Sequence, residues 1–581
     1  MSIIKQINPY EEERKIGFVT EVGSSYVKAN INENANQYDD WYLGIKNSQG
    51  HVNDFVVIDC DEYALLGRIS KSTVLDVERL KLNENSKGRV HPIGNIQLLA
   101  TISLQNSEVL KGILAYPKVG ASVYTAHPDF VKWTFEFDKL KDSDKEKIKL
   151  QVGHLPEHSS ISIDLTPEQL FGRHIAVLGT TGGGKSWTLA RLMEQSVQFN
   201  SKSILIDATG EFSTLADEYV EEVKRVHIGG DTNNEYRDIP YNELLISDLT
   251  AIFRPSSQSQ APKLHEAIKS LKLIQIDGDH ASDDGLLVKQ GNPKAPIEES
   301  FREHVETIED PKATFNINNL AYQIREECVY PTGYDNDEVY GDINKQDLSY
   351  CYTLISRIQE IVNSTFFSPI FQPEEDSSIF DEINNFIEPD DEEENYKLLI
   401  ISLEDLSFQR KIREIVVNAI GRHLHQCARK KKFINNPLVT YLDEAHQFLN
   451  QKIRDDFVQF DLDSFESLAK EGRKYGISVC LATQRPRDIP TGILSQVGTL
   501  MVHRLINERD RNVVKNACGE LDRDVASQLP SLSSGEAVVI GVDFNFPLAT
   551  KIKEPVQPPD SEGPDYQTFW NVEIEEDQED G

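Results

Sequence analysis

Ile175-Ala176-Val177-Leu178 runs directly into Gly179-Thr180-Thr181-Gly182-Gly183-Gly184-Lys185-Ser186, and Trp187-Thr188-Leu189-Ala190-Arg191-Leu192-Met193-Glu194 follows. The glycine stretch fits G-x-x-x-x-G-K-[ST], and its flanks read as strand before and helix after. Glycines let successive backbone N–H groups turn inward around a polyphosphate, and the helix N-terminus adds partial positive charge. Lys185 is placed to neutralise the β/γ-phosphate oxygens, and the Ser186 hydroxyl to ligate Mg²⁺. The expected ATP-binding set is Gly182, Gly183, Gly184, Lys185, Ser186 and Trp187.

A second strand carries the other half of the expected chemistry. Pro437-Leu438-Val439-Thr440-Tyr441-Leu442-Asp443-Glu444 is mostly apolar and ends in paired acids, the Walker B pattern. Asp443 would share the Mg²⁺ shell with Ser186, and Glu444 would orient or deprotonate the attacking water. The strand 477–482 leads into Thr483-Gln484-Arg485-Pro486-Arg487-Asp488-Ile489-Pro490, so Gln484 stands at a strand tip as a sensor of the γ-phosphate or the water. Arg473, just before that strand, and Arg504 are candidates for countering transition-state charge; the plainer reading of either is a surface ion pair worth about 0–1 kcal/mol. Ser203-Ile204-Leu205-Ile206-Asp207 continues into Ala208-Thr209-Gly210-Glu211-Phe212, which sets Asp207 and Glu211 at a strand's C-terminal end, where open α/β sheets bind ligands. Glu211 therefore joins the catalytic candidates. The alternative is Asp207 capping a turn with Glu211 exposed.

A chain of 581 residues exceeds the roughly 250–300 residues that one core supports. Short β-branched runs at 16–22, 55–59, 63–69, 96–102 and 121–124, separated by turn residues, give a small barrel or sandwich over 1–150. The ATPase core then occupies 151–250 and resumes at 396–553, because apolar strand patterns stop near 250 and return at Lys397-Leu398-Leu399-Ile400-Ile401-Ser402. Amphipathic segments at 263–271 and 354–362 make 251–395 a helical insertion with an acidic loop. A helix over 410–427 ends in Ala428-Arg429-Lys430-Lys431-Lys432, cations that complement a helix C-terminus or touch nucleic acid. Residues 554–581 form an acidic tail.

The net charge of −35 excludes a surface coated in nucleic acid but not a narrow basic lining. Much of the acidity lies at 373–376, 390–394 and 573–580, read as solvated or disordered runs, and the asparagine-rich stretch 30–36 reads as a loop. No apolar run reaches the roughly 20 residues of a membrane span, and the N-terminus is unlike a signal peptide, so a cytoplasmic protein without a membrane partner is expected. The six cysteines are scattered, without metal-ligand spacing, as in reduced buried thiols.

Set in this order, the phosphate loop, Ile206-Asp207-Ala208-Thr209-Gly210-Glu211-Phe212, Leu442-Asp443-Glu444-Ala445-His446, Glu471-Gly472-Arg473-Lys474-Tyr475-Gly476 and Ala482-Thr483-Gln484-Arg485-Pro486 resemble the HerA proteins, ring-forming DNA translocases related to FtsK and the conjugation motors. The resemblance extends over residues 10–550 and implies an α/β fold: a RecA-like P-loop ATPase core with an N-terminal β-barrel (HAS-barrel-like) and an inserted helical domain. It further implies a homohexamer with Mg²⁺ and ATP held between subunits and double-stranded DNA threaded through a basic channel. Arg473 would be the arginine finger, Gln484 the γ-phosphate sensor and Arg487 a DNA phosphate contact in a pore loop. HerA relatives also imply a separate effector docked on the barrel, a nuclease or a sirtuin-like NAD-consuming subunit, in phage defence or in DNA end resection. A ring that mainly scaffolds a toxic partner, or a protein-remodelling or secretion motor on the same core, is the alternative.

Overall fold

The computed structural model describes residues 8–31, 41–42, 45–46, 50–74, 92–137, 147–156, 158–229, 236–310, 313–365, 367–371, 378–389, 395–407, 411–449, 452–455, 458–517, 523–561 and 565–570. The acidic runs, most of the asparagine-rich stretch and Cys518 lie outside them. The remaining cysteines are buried and unbridged. Among the described residues no helix is long and apolar enough to cross a membrane.

The N-terminal strands form a barrel. Their order is Tyr26–Ile31, Lys15–Val22, Ser122–Thr125, Phe55–Cys60, Tyr63–Thr73 and Ile93–Ser103, and this last strand pairs back onto Tyr26–Ile31, closing the sheet. Closure removes the exposed edges that an open sheet would present. Tyr26–Ile31 was not anticipated from sequence, yet its Val27 and Ala29 are fully buried in the barrel core.

The helix Pro128–Glu136 carries the chain from barrel to ATPase core, and its Phe135 ring stacks on Phe544 at 4.9 Å. Phe55 of the barrel meets Phe546 at 5.8 Å, and Gln528 of the core bonds both Arg68 (3.4 Å) and Asn53 (2.8 Å) of the barrel. Barrel and core are thus packed through aromatic and polar contacts together.

The core is a 12-stranded sheet. From Val497–Val502 it proceeds through His174–Leu178, Ile477–Thr483, Leu438–Leu442, Lys202–Asp207, Leu398–Ser402, Val223–Ile228 and Tyr236–Arg237, all parallel. On its other side Glu536–Gly541, Leu548–Ile552, Leu150–Leu155 and His158–Leu165 add antiparallel strands. His174–Leu178, Lys202–Asp207 and Leu398–Ser402 are buried at every position, as strands covered by helices on both faces must be. This gives the RecA-like α/β architecture. Strand Ile477–Thr483 stands between the phosphate-loop strand and the Walker B strand, so Gln484 emerges between Lys185 and Glu444.

Between Tyr236–Arg237 and Leu398–Ser402 the chain leaves the sheet for helices that include Gln260–Ile276, Leu320–Glu326 and Lys345–Val362. Their apolar faces, with Leu264, Ile268, Ile324 and Ile358 almost fully buried, continue the same core as the sheet strands. The helix expected at 410–427 spans Ile412–Arg429, and Lys432 just beyond it pairs with Glu388 at 2.7 Å. The start of the expected acidic tail is docked: the Val556 and Gln557 N–H groups donate to Glu194 at 3.1 and 2.7 Å, and Asp560 N–H to Glu211 O at 2.7 Å.

Candidate active site

The phosphate loop turns from strand His174–Leu178 into helix Lys185–Val197. Gly182 (φ 71°) and Gly184 (φ 106°) occupy left-handed backbone that an L side chain would strain. Lys185 is only 6 % exposed and donates to Thr180 O at 3.3 Å. Burial pushes its ammonium pKa down, against the opposing pull of Glu444, Asp443 and Glu211. Trp187, on the first turn of the helix, is 36 % exposed.

Those carboxylates converge on Lys185 and Ser186. Asp443 follows the Walker B strand, is 2 % exposed, and its carboxyl pKa is pushed well up by burial and then by Glu444, Asp207 and Glu211. Glu211 is half-buried rather than exposed; burial raises its pKa while hydrogen bonds from the Thr209 and Ser186 hydroxyls oppose the rise. Asp207 does what the plainer reading said, accepting N–H bonds from Thr209, Gly210 and Phe212 at 3.3, 2.9 and 3.1 Å, a turn cap that aims Glu211 at Ser186. Glu444 sits in left-handed backbone (φ 44°) with its carboxylate 3.1 Å from His446 Nδ1. Burial alone would raise its pKa, but His446, Lys185 and the Gln484 backbone together hold it below the ordinary range. The oxygens of buried Asp443 and of half-buried Ser186 and Glu211, beside Lys185, are a hard-donor set that fits a small divalent cation carrying phosphates.

Gln484 accepts a 2.6 Å hydrogen bond from the Thr181 hydroxyl, which joins the loop tip to the middle strand. Arg504 follows strand Val497–Val502 at the same sheet edge; its carbonyl accepts from Thr180 N–H at 3.0 Å and its Nε donates to Pro530 O at 3.1 Å. Arg473 is elsewhere. It precedes Ile477–Thr483 and lies with Arg173 and His174 at the N-terminal edge of the sheet, about 20 Å from its own phosphate loop by strand length. Arg487 is exposed on the short turn Pro486–Asp488, with Nε 3.9 Å from Asp488.

Sequence reasoning missed His446, whose Nδ1 lies 3.1 Å from the Glu444 carboxylate and 3.2 Å from Thr483 Oγ1, and His503, buried beneath the loop with its pKa pushed down to about 4 by burial. It also missed the turn at 533–536, where Ser534 Oγ and Gly535 N–H donate to Gly182 O and Gly183 O, each at 3.2 Å. Only His446 carried a signal, its place two residues after Glu444.

Residues 150–424 match the profile of the helicase HerA central domain, and 433–562 that of the helicase HerA-like C-terminal domain. The chain belongs to the HerA helicase family. A probable helicase of Methanocaldococcus jannaschii is 25 % identical to this HerA-family chain over 520 residues, covering 86 % of each. The DNA double-strand break repair helicase HerA of Pyrococcus furiosus is 23 % identical, covering 83 % of this chain and 80 % of its own. The unbound conjugative coupling protein TrwB aligns over 72 % of this chain and 92 % of its own, with a TM-score of 0.43 and 14 % identity. Family membership makes the chain a P-loop ATP hydrolase with an ATP-driven DNA translocase or helicase role.

Proposed function

We propose that this protein is a homohexameric ring that hydrolyses Mg·ATP between subunits to drive double-stranded DNA through its centre, and that a separate effector docks on the N-terminal barrel. The observation that carries this reading is the split of its charges. The phosphate loop, Asp443, Glu444 and Gln484 share one sheet edge, while Arg473 stands at the other. Arg504 stands on the loop's own edge, so whatever charge Arg473 brings to a loop must come from a neighbouring subunit.

Lys185 and the loop N–H groups hold the β- and γ-phosphates. Ser186 and Asp443, with Glu211 bonded to the Ser186 hydroxyl, would hold Mg²⁺, which supplies charge neutralisation at the phosphate oxygens. Glu444, kept ionised by His446, takes a proton from the attacking water, and Gln484 orients that water against the γ-phosphate. Arg473 of an adjacent subunit counters the charge that develops, with Arg504 beside the loop. Arg487, on the turn after Gln484, contacts DNA phosphate without reading sequence.

The effector is a nuclease or a sirtuin-like NAD-consuming subunit, and the setting is phage defence. A second reading, a motor for processing broken DNA ends beside a nuclease, is favoured by the double-strand break repair role of the archaeal relatives. Native mass and ATPase rate with and without duplex DNA test the proposal. A hexamer stimulated by DNA supports it, and a monomer indifferent to DNA ends it.

A further inference from the structure

The phosphate loop works by pointing its N–H groups inward, which requires its carbonyls to point out and find partners there. Those partners are visible. Ser534 and Gly535 cap Gly182 O and Gly183 O, and a Cβ on Gly184 would meet Gly535 Cα at 3.1 Å. The turn at 533–536 is therefore an outer wall against which the loop is cast.

His503 braces that wall. Its Nδ1 lies 2.8 Å from Glu536 O, its Nε2 lies 2.8 Å from Thr188 Oγ1 on the phosphate-loop helix, and its own N–H donates to Leu178 O at 2.7 Å. Because Nδ1 faces a carbonyl, it carries the ring proton, and Nε2 is left as an acceptor that shares the Thr188 hydroxyl proton with Gly184 O, 3.0 Å from the same oxygen. The side chain also packs beneath Gly179, where an added Cβ would come within 2.6 Å of His503 Cβ. The ring is 0 % exposed, so it touches neither solvent nor substrate. An apolar residue of the same size would fill the space but join nothing.

We propose that His503 is a positioning residue which ties the 533–536 turn to the phosphate-loop helix and so presets the loop for a nucleotide diphosphate or triphosphate. The inference rests on the ATP reading of the same site. Its consequence is that affinity depends on His503 and the chemical step does not, since ADP and ATP use the same loop and the transition state gains nothing extra from the brace.

The test is ADP affinity by calorimetry, with Mg²⁺ present, on full-length wild type, His503→Ala, His503→Asn, Thr188→Val and the His503→Asn/Thr188→Val pair, alongside KM and kcat for ATP. His503→Ala is expected to weaken ADP binding about tenfold and raise KM alike with kcat kept, because both hydrogen bonds go. His503→Asn keeps a donor towards Glu536 O and should lose only about threefold. Adding Thr188→Val to it then removes only the hydroxyl's bond to Gly184 O, so the pair should lose less than the two single changes multiplied together. Wild-type ADP affinity in His503→Ala, with only a lower melting temperature, overturns the proposal. Should His503→Ala fail to fold, wild-type affinity in both His503→Asn and Thr188→Val overturns it equally. A wild type that binds no ADP sinks the ATP reading itself, an outcome distinct from either.

Discussion

Thr181 and Gln484 are joined by a 2.6 Å hydrogen bond, hydroxyl to side-chain oxygen, across the gap between the phosphate loop and the neighbouring strand tip. On the proposed ATP reading, a γ-phosphate entering the loop would displace this bond, and the strand that ends in Gln484 would register the nucleotide directly. Gln484→Ala is accordingly expected to leave ADP affinity near wild type and to lower kcat by about 100-fold, the cost of a lost water-orienting group. Steady-state kinetics beside ADP titration check it; a raised KM at unchanged kcat would show that Gln484 only binds.

Glu444 has two opposing influences, burial that raises its pKa and the His446 contact that leads the lowering. A base works deprotonated, so ATPase activity falls as pH drops through its pKa. Removing the His446 contact leaves burial less opposed, and the acid limb of the kcat profile in His446→Ala should move to higher pH. Glu444→Gln should hydrolyse at least about 100-fold more slowly while still binding ATP. An acid limb in His446→Ala that coincides with wild type would remove His446 from the mechanism.

The phosphate loop was legible because its information is local: an apolar run, glycines at the left-handed positions Gly182 and Gly184, and a helix start. Glu444 and Gln484 were legible as strand ends. Barrel closure was not, since it depends on Tyr26–Ile31 meeting Ile93–Ser103 across the chain. Val223–Ile228, whose apolar residues are interrupted by Lys224, Arg225 and His227, and the two-residue edge strand Tyr236–Arg237 were missed because neither carries much periodic signal. His503 was invisible for a different reason: its partner Thr188 is 315 residues away, and a lone histidine after an apolar strand announces nothing. Glu211 was ambiguous from spacing, and it took the Asp207 cap to show which way it points.

His503 also makes stability depend on pH. Its folded pKa is depressed by burial to about 4, and the Lys185 ammonium nearby adds to the depression, whereas an unfolded histidine titrates near 6.5. Above about pH 6.5 neither state is protonated and nothing is lost. As pH falls from there towards 4, the unfolded chain takes up a proton that the native ring refuses, so stability declines through that window. Thermal melts across it should show a shallower decline in His503→Asn than in wild type, and parallel slopes would mean that other groups set the acid limit.

Arg473 and Lys185 stand at opposite ends of the parallel strands, Arg473 before Ile477 and Lys185 beyond Leu178. No rotamer spans the intervening strand, about 20 Å long, so Arg473 cannot serve its own loop. If it serves a neighbour's, Arg473→Ala and Lys185→Ala each remove activity, the first with nucleotide binding intact and the second without it. Mixing them then becomes decisive. A junction that pairs the Arg473→Ala protomer's intact loop with the Lys185→Ala protomer's intact arginine is a complete site. Mixed assemblies should therefore recover ATPase activity that neither parent shows, rising and falling with the mixing ratio. A flat, inactive response across all ratios, with subunit exchange verified by mass, would place Arg473 outside the catalytic site and return it to the surface.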